Sequence, residues 1–491
     1  MLRRLFSPGR FCKIPKNKEV SVLDWLEMHN LEFGECTVLG SLEGNILMVD
    51  CGSMNVKIRE SDMEVTDYVE NNIVPRYFDA KERSFLLTHF HRDHMSGLRY
   101  LLKRDHGFFH RVFVPAASVN REGRALLIEF ALYVFAFLGR QSEYSQMSVS
   151  ALRIFERLHY ALGIGNVYSL SRGSQFDFEG VSYDVLWPAA GDYPFSPLLT
   201  EIVEELDVCL SSPFLGRGAP EFLALKNEFC GEYLRLCLLT SPQNRGYLGD
   251  MEESLSHCKR LLDKIEAMAP SLQLIPAAQN IIEILSRPAV REEYATAQNM
   301  ASIVFQNHRT REASLDDIIM TGDATPETFD QIAEDLYDAY YIFKAPHHGT
   351  ASSWSHLFKD ILKSHILISN GDYHAAGGVC MEWAEDEGIK HCANNAACAW
   401  FQEKGSCCNR TAYCWEVCEK GAMTLRCPKV AGGARDSGCG IYVISFQSDR
   451  GCFCDGDETP SKTEALGRRL LLGGAPDSYA SRPHTAQPVP S

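Results

Sequence analysis

Residues 86–97 read LLTHFHRDHMSG, and the rest of the chain is best understood outward from this stretch. It sets His89, His91, Asp93 and His94 within six residues, directly behind the apolar run 84–88 (SFLLT). A short run of Phe and Leu bounded by polar residues is the signal of a buried strand. The four polar side chains are therefore predicted to lie in a tight loop just past a strand's end, where a rigid scaffold presents functional groups. Imidazole nitrogen and carboxylate oxygen are good zinc ligands at about 2.0–2.2 Å. A lone histidine pair is usually structural, whereas three histidines and an aspartate at this density are not explained by packing. In such a loop His89 and His91 can face one metal ion while Asp93 and His94 turn to a second.

Two later segments repeat the pattern of an apolar strand running into ligand-type residues. Asp323 ends IIMTGD, and His347 and His348 follow YIFKAP. Singly each is ambiguous, since an aspartate after glycine is often a turn former; the threefold conjunction is what points to a metal centre. Upstream, FGECTVLG (33–40), the turn-prone SLEGN and ILMVDCG (46–52) read as strand, turn, strand. Strands are also predicted within 166–188 and at 301–306, 317–322, 340–345, 364–370 and 440–446. Helical periodicity runs over 120–162 and 196–286.

Composition narrows the function classes. The chain has 491 residues, 45% hydrophobic and 23% charged, which is ordinary for a globular protein. A net charge of −16 argues against a broad non-specific grip on nucleic acid, although bound cations can make an acidic protein locally positive. The most apolar run, 126–138, has 13 residues and contains Glu129, so a buried helix is expected in place of a membrane span. The first 18 residues carry six basic side chains with no apolar segment behind them, so a solvated arm is expected in place of a secretory signal, and a cytoplasmic location follows. No GxSxG elbow or P-loop offers a rival catalytic system.

HFHRDH matches the HxHxDH signature of the metallo-β-lactamase superfamily, and ILMVDCG resembles the strand that precedes it there. Residues 184–188 (DVLWP), 299–304 (NMASIV), 321–324 (TGDA) and 344–349 (KAPHHG) resemble, in that order, patterns of the competence-type (DNA-uptake) branch. The resemblance covers roughly residues 33 to 375. It implies an α/β fold, a four-layer αββα sandwich over 33–450 with helical insertions at about 110–165 and 196–292. It also implies two divalent ions, zinc first, with manganese or iron as alternatives. His89 and His91 would bind one ion, Asp93 and His94 the other, Asp323 would bridge both, and one of His347 or His348 would complete the second site. Asp50 would be a structural acid beneath the site. Many members supply a further histidine from mid-chain; His110, His159, His257 and His308 occupy that interval in no recognisable motif, which leaves an open position on the first metal.

The function implied is hydrolysis by a metal-bound hydroxide, acting on a phosphodiester or related phosphate ester, with nucleic acid among the candidate substrates. Asp93 would orient the water, and whichever of His347 and His348 is not a ligand would hydrogen-bond substrate or act as general acid. A carbonyl-directed hydrolase (β-lactam, lactone or thioester) is the alternative, and a non-catalytic metal-binding protein a third reading. Asn299 and Ser302 either line the pocket or cap a strand. Eleven of the 18 cysteines fall between Cys380 and Cys454. The Cys-rich insertion at about 380–439 lacks paired CxxC knuckles, so a zinc site, with His391 as a possible nitrogen ligand, competes with disulfides and free thiols. Residues 1–32 read as an arm and lead-in, and 456–491 as a polar, disordered tail.

Overall fold

The computed structural model describes residues 25–392, apart from 42, 59–61, 140–142, 212–217, 310–316, 372–377 and 387, together with the strands at 423–424 and 441–445. The calls on 1–24, on most of the Cys-rich insertion and on the tail lie outside these residues.

The architecture is mixed α/β, built on two large sheets. The first contains β1 (Trp25–His29), β2 (Gly34–Gly40), β3 (Ile46–Ser53), β6 (Arg83–Leu86), β7 (Arg111–Pro115), β8 (Val167–Leu170), β16 (Met423–Thr424) and β17 (Ile441–Ser445). Its spatial order is β16-β17-β1-β2-β3-β6-β7-β8; β4 (Lys57–Ile58) and β5 (Met63–Glu64) form a separate small hairpin. The second sheet contains β9 (Gln175–Phe178), β10 (Val181–Trp187), β11 (Val304–Asn307), β12 (Ile318–Met320), β13 (Ala339–Lys344), β14 (Leu362–Ile368) and β15 (Ile389–Cys392), ordered β15-β14-β13-β12-β11-β10-β9. The first sheet is joined by four antiparallel and three parallel pairings, the second by three of each. β3, β6, β7 and β8 run parallel in the first, and β12, β13, β14 and β15 in the second.

Strand alternation sorts the core. Leu47 and Val49 of β3 and Leu86 of β6 face Val185, Phe305, Met320 and Ile342 of the other sheet, so one apolar cluster fills the space between the sheets. Ile46, Met48, Phe85 and Leu87 point the other way, into a cluster shared with helices. Ile319, Phe343 and Ile366 do the same on the far side, against Phe329, Phe358 and Trp383. The strands β2 and β3 are buried along their whole length, which explains their near-continuous apolar sequence.

Helices fill the long connections. Between β7 and β8 lie α4 (Leu126–Leu138), α5 (Glu143–Leu152) and α6 (Ile154–Leu162). Between β10 and β11 lie α7 (Pro197–Leu210), α8 (Gly218–Thr240), α9 (Leu248–Leu272), α10 (Ala278–Ser286) and α11 (Pro288–Met300). The 13-residue apolar run is α4, a helix buried all round, as expected of apolar sequence without a polar face. Its one acid is neutralised: Glu129 accepts from Arg124 Nη2 at 2.6 Å and from the buried Lys226 Nζ at 2.7 Å. No helix among the described residues is long and apolar enough to cross a membrane.

Six strands escaped the sequence reading: β1, β7 and β15, and the two-residue strands β4, β5 and β16. β1 falls inside the stretch read as a lead-in, and pairs with both β2 and β17. The strand expected at 301–306 begins only at Val304, because α11 extends to Met300 and carries Asn299 in its last turn. His391, weighed as a ligand for the cysteines, is buried on β15 with its Nε2 at 2.9 Å from His365 Nδ1.

Strand β1 also sets an acid sensitivity. Tyr77 Oη donates to Glu27 Oε2 at 2.5 Å, and His29 Nε2 sits 2.6 Å from the same hydroxyl. Burial pushes the His29 imidazole from its ordinary 6.5 down to about 3, with Glu27 opposing and Arg76 assisting. The unfolded chain then binds the proton that the folded chain refuses. The stability tied to this ring is complete above pH 6.5 and declines as pH falls toward 3, by up to about 1.4 kcal/mol per pH unit. His29→Asn, which cannot titrate, is expected to flatten the fall of the urea midpoint between pH 6.5 and 4; an unaltered slope would refute this assignment.

Candidate metal centre

The candidate ligands gather at the carboxyl ends of parallel strands, the edge where open α/β sheets place their ligands. Asp50 is near the end of β3, and His89 lies just past β6. Asp323 follows β12, and His347 and His348 follow β13. The cluster was expected wholly in a loop; instead only His89 precedes a helix that begins inside the motif. His91 is the N-cap of α3 (Arg92–Arg104), and Asp93 and His94 occupy its first turn. A carboxylate there faces the positive end of the helix dipole, which favours its ionised form.

Close backbone approaches lock the elements together. A Cβ on Gly52 would stand 2.5 Å from the carbonyl oxygen of Arg92, so β3 can meet the start of α3 only with glycine there. A Cβ on Gly322 would stand 2.9 Å from that of Thr88, joining the Asp323 turn to the His89 strand. Asp50, His347 and His348 have φ of 56°, 46° and 57°, in the left-handed region that non-glycine residues seldom occupy. Such strain persists where surroundings over-determine it. Here His347 N–H donates to Gly322 O at 3.1 Å and Asn370 Nδ2 to His348 O at 2.9 Å.

Hydrogen bonds around the rim assign the imidazole tautomers. Asp50 accepts from Thr88 N–H (2.8 Å), Thr88 Oγ1 (2.7 Å) and His94 Nδ1 (2.8 Å). With its proton committed to Asp50, Thr88 Oγ1 accepts from His89 Nδ1 at 3.1 Å. His348 Nδ1 donates to Ser369 O at 2.8 Å. All three rings thus hold their proton on Nδ1 and present the Nε2 lone pair inward, the outer-shell arrangement that orients metal-ligating histidines.

What those lone pairs meet is more acceptors. His89 Nε2, His91 Nε2, His94 Nε2, Asp93 Oδ1 and both carboxylate oxygens of Asp323 are buried without a hydrogen-bond partner. His94 Nε2 is 3.2 Å and His89 Nε2 3.7 Å from Asp323 Oδ2, while His348 Nε2 is 3.1 Å from Asp93 Oδ2 and 3.9 Å from Asp323 Oδ2. Buried polar atoms are ordinarily paired, and acceptors opposed at such distances repel unless something positive lies between. Tetrahedral bonds of about 2.0–2.2 Å would put ligand atoms roughly 3.3–3.6 Å apart, within the span of these distances. Two sets of atoms, each within 4.8 Å of one another, could hold a metal ion: His89, His91 and Asp323; and Asp93, His94, Asp323 and His348.

Electrostatics agrees with that reading. Burial, then the neighbouring imidazoles, push His89 well below the usual histidine range, and burial lowers His91. For Asp93 and Asp323 burial works to raise the pKa but is outweighed by His94 and its neighbours, so both carboxyls stay ionised. His94 and His348 are the converse: burial disfavours their cations, and the carboxylates around them more than restore it.

The other expectations sort cleanly. Of the adjacent pair it is His348 that joins a ligand set; His347 stands at the rim, 27% exposed, with Nε2 3.8 Å from Asp323 Oδ2. The mid-chain histidines are elsewhere: His257 pairs with Glu228, His308 with Asp184, His159 Nδ1 accepts from Ile164 N–H, and His110 Nδ1 from Arg83 N–H. Ser302 Oγ accepts from Asp323 N–H at 3.1 Å and so positions the carboxylate. Two supports were missed. Thr88 is inside the quoted motif, but its role depends on Asp50, 38 residues away. Glu35, which receives the buried Lys344 ammonium at 2.5 Å, carries no local signal at all.

No protein-family model matches this chain, and no curated protein matches it either.

Proposed function

We propose that this chain is a metal-dependent hydrolase of the metallo-β-lactamase type, its two sheets and flanking helices forming the four-layer αββα sandwich of that superfamily. In this reading His89, His91 and Asp323 hold one divalent ion, and Asp93, His94, Asp323 and His348 the other, zinc being the first candidate from the mixed nitrogen and oxygen donors. The observation that carries it is the convergence of four buried, unpartnered ligand-type atoms on the equally unpartnered Asp323 carboxylate, which both sets share. Bound divalent ions supply Lewis acidity, lowering the pKa of a water and neutralising charge on substrate oxygen.

The chain's own groups do the positioning. Asp50 and Thr88 engage Nδ1 of His94 and His89 and so aim Nε2 of both rings inward. Asp93 is ionised and stands beside His348, placed to orient an attacking water. His347 has its pKa lowered by burial, so it is neutral near pH 7 and serves substrate as a hydrogen-bond donor in preference to a general acid.

A phosphodiester or related phosphate ester is the substrate class favoured, by the order of the VLWP, NxxSxV, TGDA and KxxHHG patterns and because paired ions can serve attacking and leaving oxygens together. Metal analysis of the purified chain is expected to return two equivalents of divalent ion, and the loaded protein should hydrolyse bis-p-nitrophenyl phosphate in preference to nitrocefin or a thioester. Preference for nitrocefin or the thioester would move the substrate class to carbonyl compounds; fewer than one bound ion would end the metal reading.

A further inference from the structure

Beside His89 a small cavity of about 40 Å³ opens between the first sheet and the helical insertion. Its floor is the segment just past β7, including Ala117 and Ser118; its walls are Leu127 and Ile128 of α4 and Gln298 of α11. β7 is the parallel neighbour of β6, so the cavity continues the same carboxyl edge that presents the candidate ligands. No lysine, arginine, aspartate or glutamate lines it. Besides His89 Nε2, two buried polar atoms of its lining residues lack partners, Ser118 Oγ and Gln298 Oε1; Gln298 Nε2 is already committed to Tyr294 Oη at 3.3 Å.

We infer that this cavity is the specificity pocket of the site, receiving one short, uncharged, hydroxyl-bearing aliphatic substituent of the phosphate ester. The inference rests on the metal-hydrolase reading and deepens it. His89 belongs both to a candidate ligand set and to the lining of the cavity, so the cavity adjoins the place where the ester would be held. An ionised phosphate oxygen has no counter-charge within the cavity and would not leave water for it. A hydroxyl suits it: its oxygen accepts from Ser118 Oγ–H, and its proton goes to Gln298 Oε1. At about 10–15 Å³ per water-sized atom, the space holds roughly three heavy atoms. A nucleobase or a phenyl ring is too large.

The test is calorimetric titration of the zinc-loaded chain with methyl-, ethyl-, n-propyl-, n-butyl- and phenylphosphonate, which needs no turnover. Affinity is expected to rise about fourfold per methylene up to propyl and to fall at least tenfold for butyl and phenyl. 2-Hydroxyethylphosphonate, the isostere of propylphosphonate, should bind at least threefold tighter than propyl, a margin that Ser118→Ala removes. Ala117→Phe, which fills the cavity, should shift the optimum to methyl, and Leu127→Ala, which widens it, to butyl; melting curves check that each variant is folded. Methylphosphonate binding with no dependence on chain length overturns the pocket alone. Failure of both inorganic phosphate and methylphosphonate to bind overturns the phosphate reading and the pocket with it.

Discussion

Asp323→Ala is expected to leave at most one divalent ion per chain and to lower phosphodiester turnover by at least about 10²–10³-fold, the loss that follows removal of a single preorganised electrostatic stabiliser. The expectation comes from its place in both candidate sets. Its Oδ2 lies 3.2 Å from His94 Nε2, 3.7 Å from His89 Nε2 and 3.9 Å from His348 Nε2. The close neighbours of its two buried oxygens are the candidate-ligand imidazoles and His347, and the backbone N–H that ties this turn to Ser302 remains. The fold should therefore survive, which circular dichroism checks. Two ions retained with undiminished turnover would mean that the carboxylate is a spectator and would overturn the two-ion arrangement.

Lys344→Met is expected to destabilise the fold by about 3–5 kcal/mol, read from the urea midpoint, because it breaks a buried ion pair from one side. Lys344 Nζ donates to Glu35 Oε1 at 2.5 Å and to Ala345 O at 3.0 Å, all within the interior. Removing the ammonium strands the Glu35 carboxylate, which stands 3.5 Å from His348 Nδ1. That carboxylate would then compete with Ser369 O for the His348 proton and rotate a candidate ligand away from its set. The double variant Glu35→Leu with Lys344→Met removes both charges and should recover most of the stability, since a well-packed apolar pair is often as stable as the ion pair it replaces. A single variant within 1 kcal/mol of the parent would show that water reaches Glu35 and that the pair is not the prop it is taken to be.

The lysine illustrates how sequence and structure divide the information. Within the KAPHHG run, the histidines are conspicuous because imidazoles are rare and chemically distinctive, while a lysine is ordinarily a solvated surface residue. Only the pairing of β12 with β13, and the return of β2 from 300 residues upstream, brings Glu35 and Lys344 together. The same holds for the choice between His347 and His348. Adjacent residues of one type are indistinguishable by composition, and only the folded chain shows His348 fully buried and His347 at the rim. The strands β1 and β7 were missed because WLEMH and RVFVP are short and interrupted by charge or proline, so neither strand alternation nor a long apolar run stands out.

By itself the sequence determined the chemical alphabet of the site and its three addresses: His89 to His94, Asp323, and the 347–348 pair, each at the end of an apolar run. It determined too that 126–138 is interior helix, since thirteen residues with one acid can satisfy burial but cannot span a bilayer. Tertiary structure alone decided that Asp93 and His94 sit on the first turn of α3, that Asp323 belongs to both groups of side chains that could hold an ion, and that Asp50 and Thr88 engage Nδ1 of His94 and His89. The reason is physical: local sequence dictates backbone propensity and residue type, whereas bonding distances of a few ångströms between residues 38 to 309 positions apart exist only after the two sheets have packed.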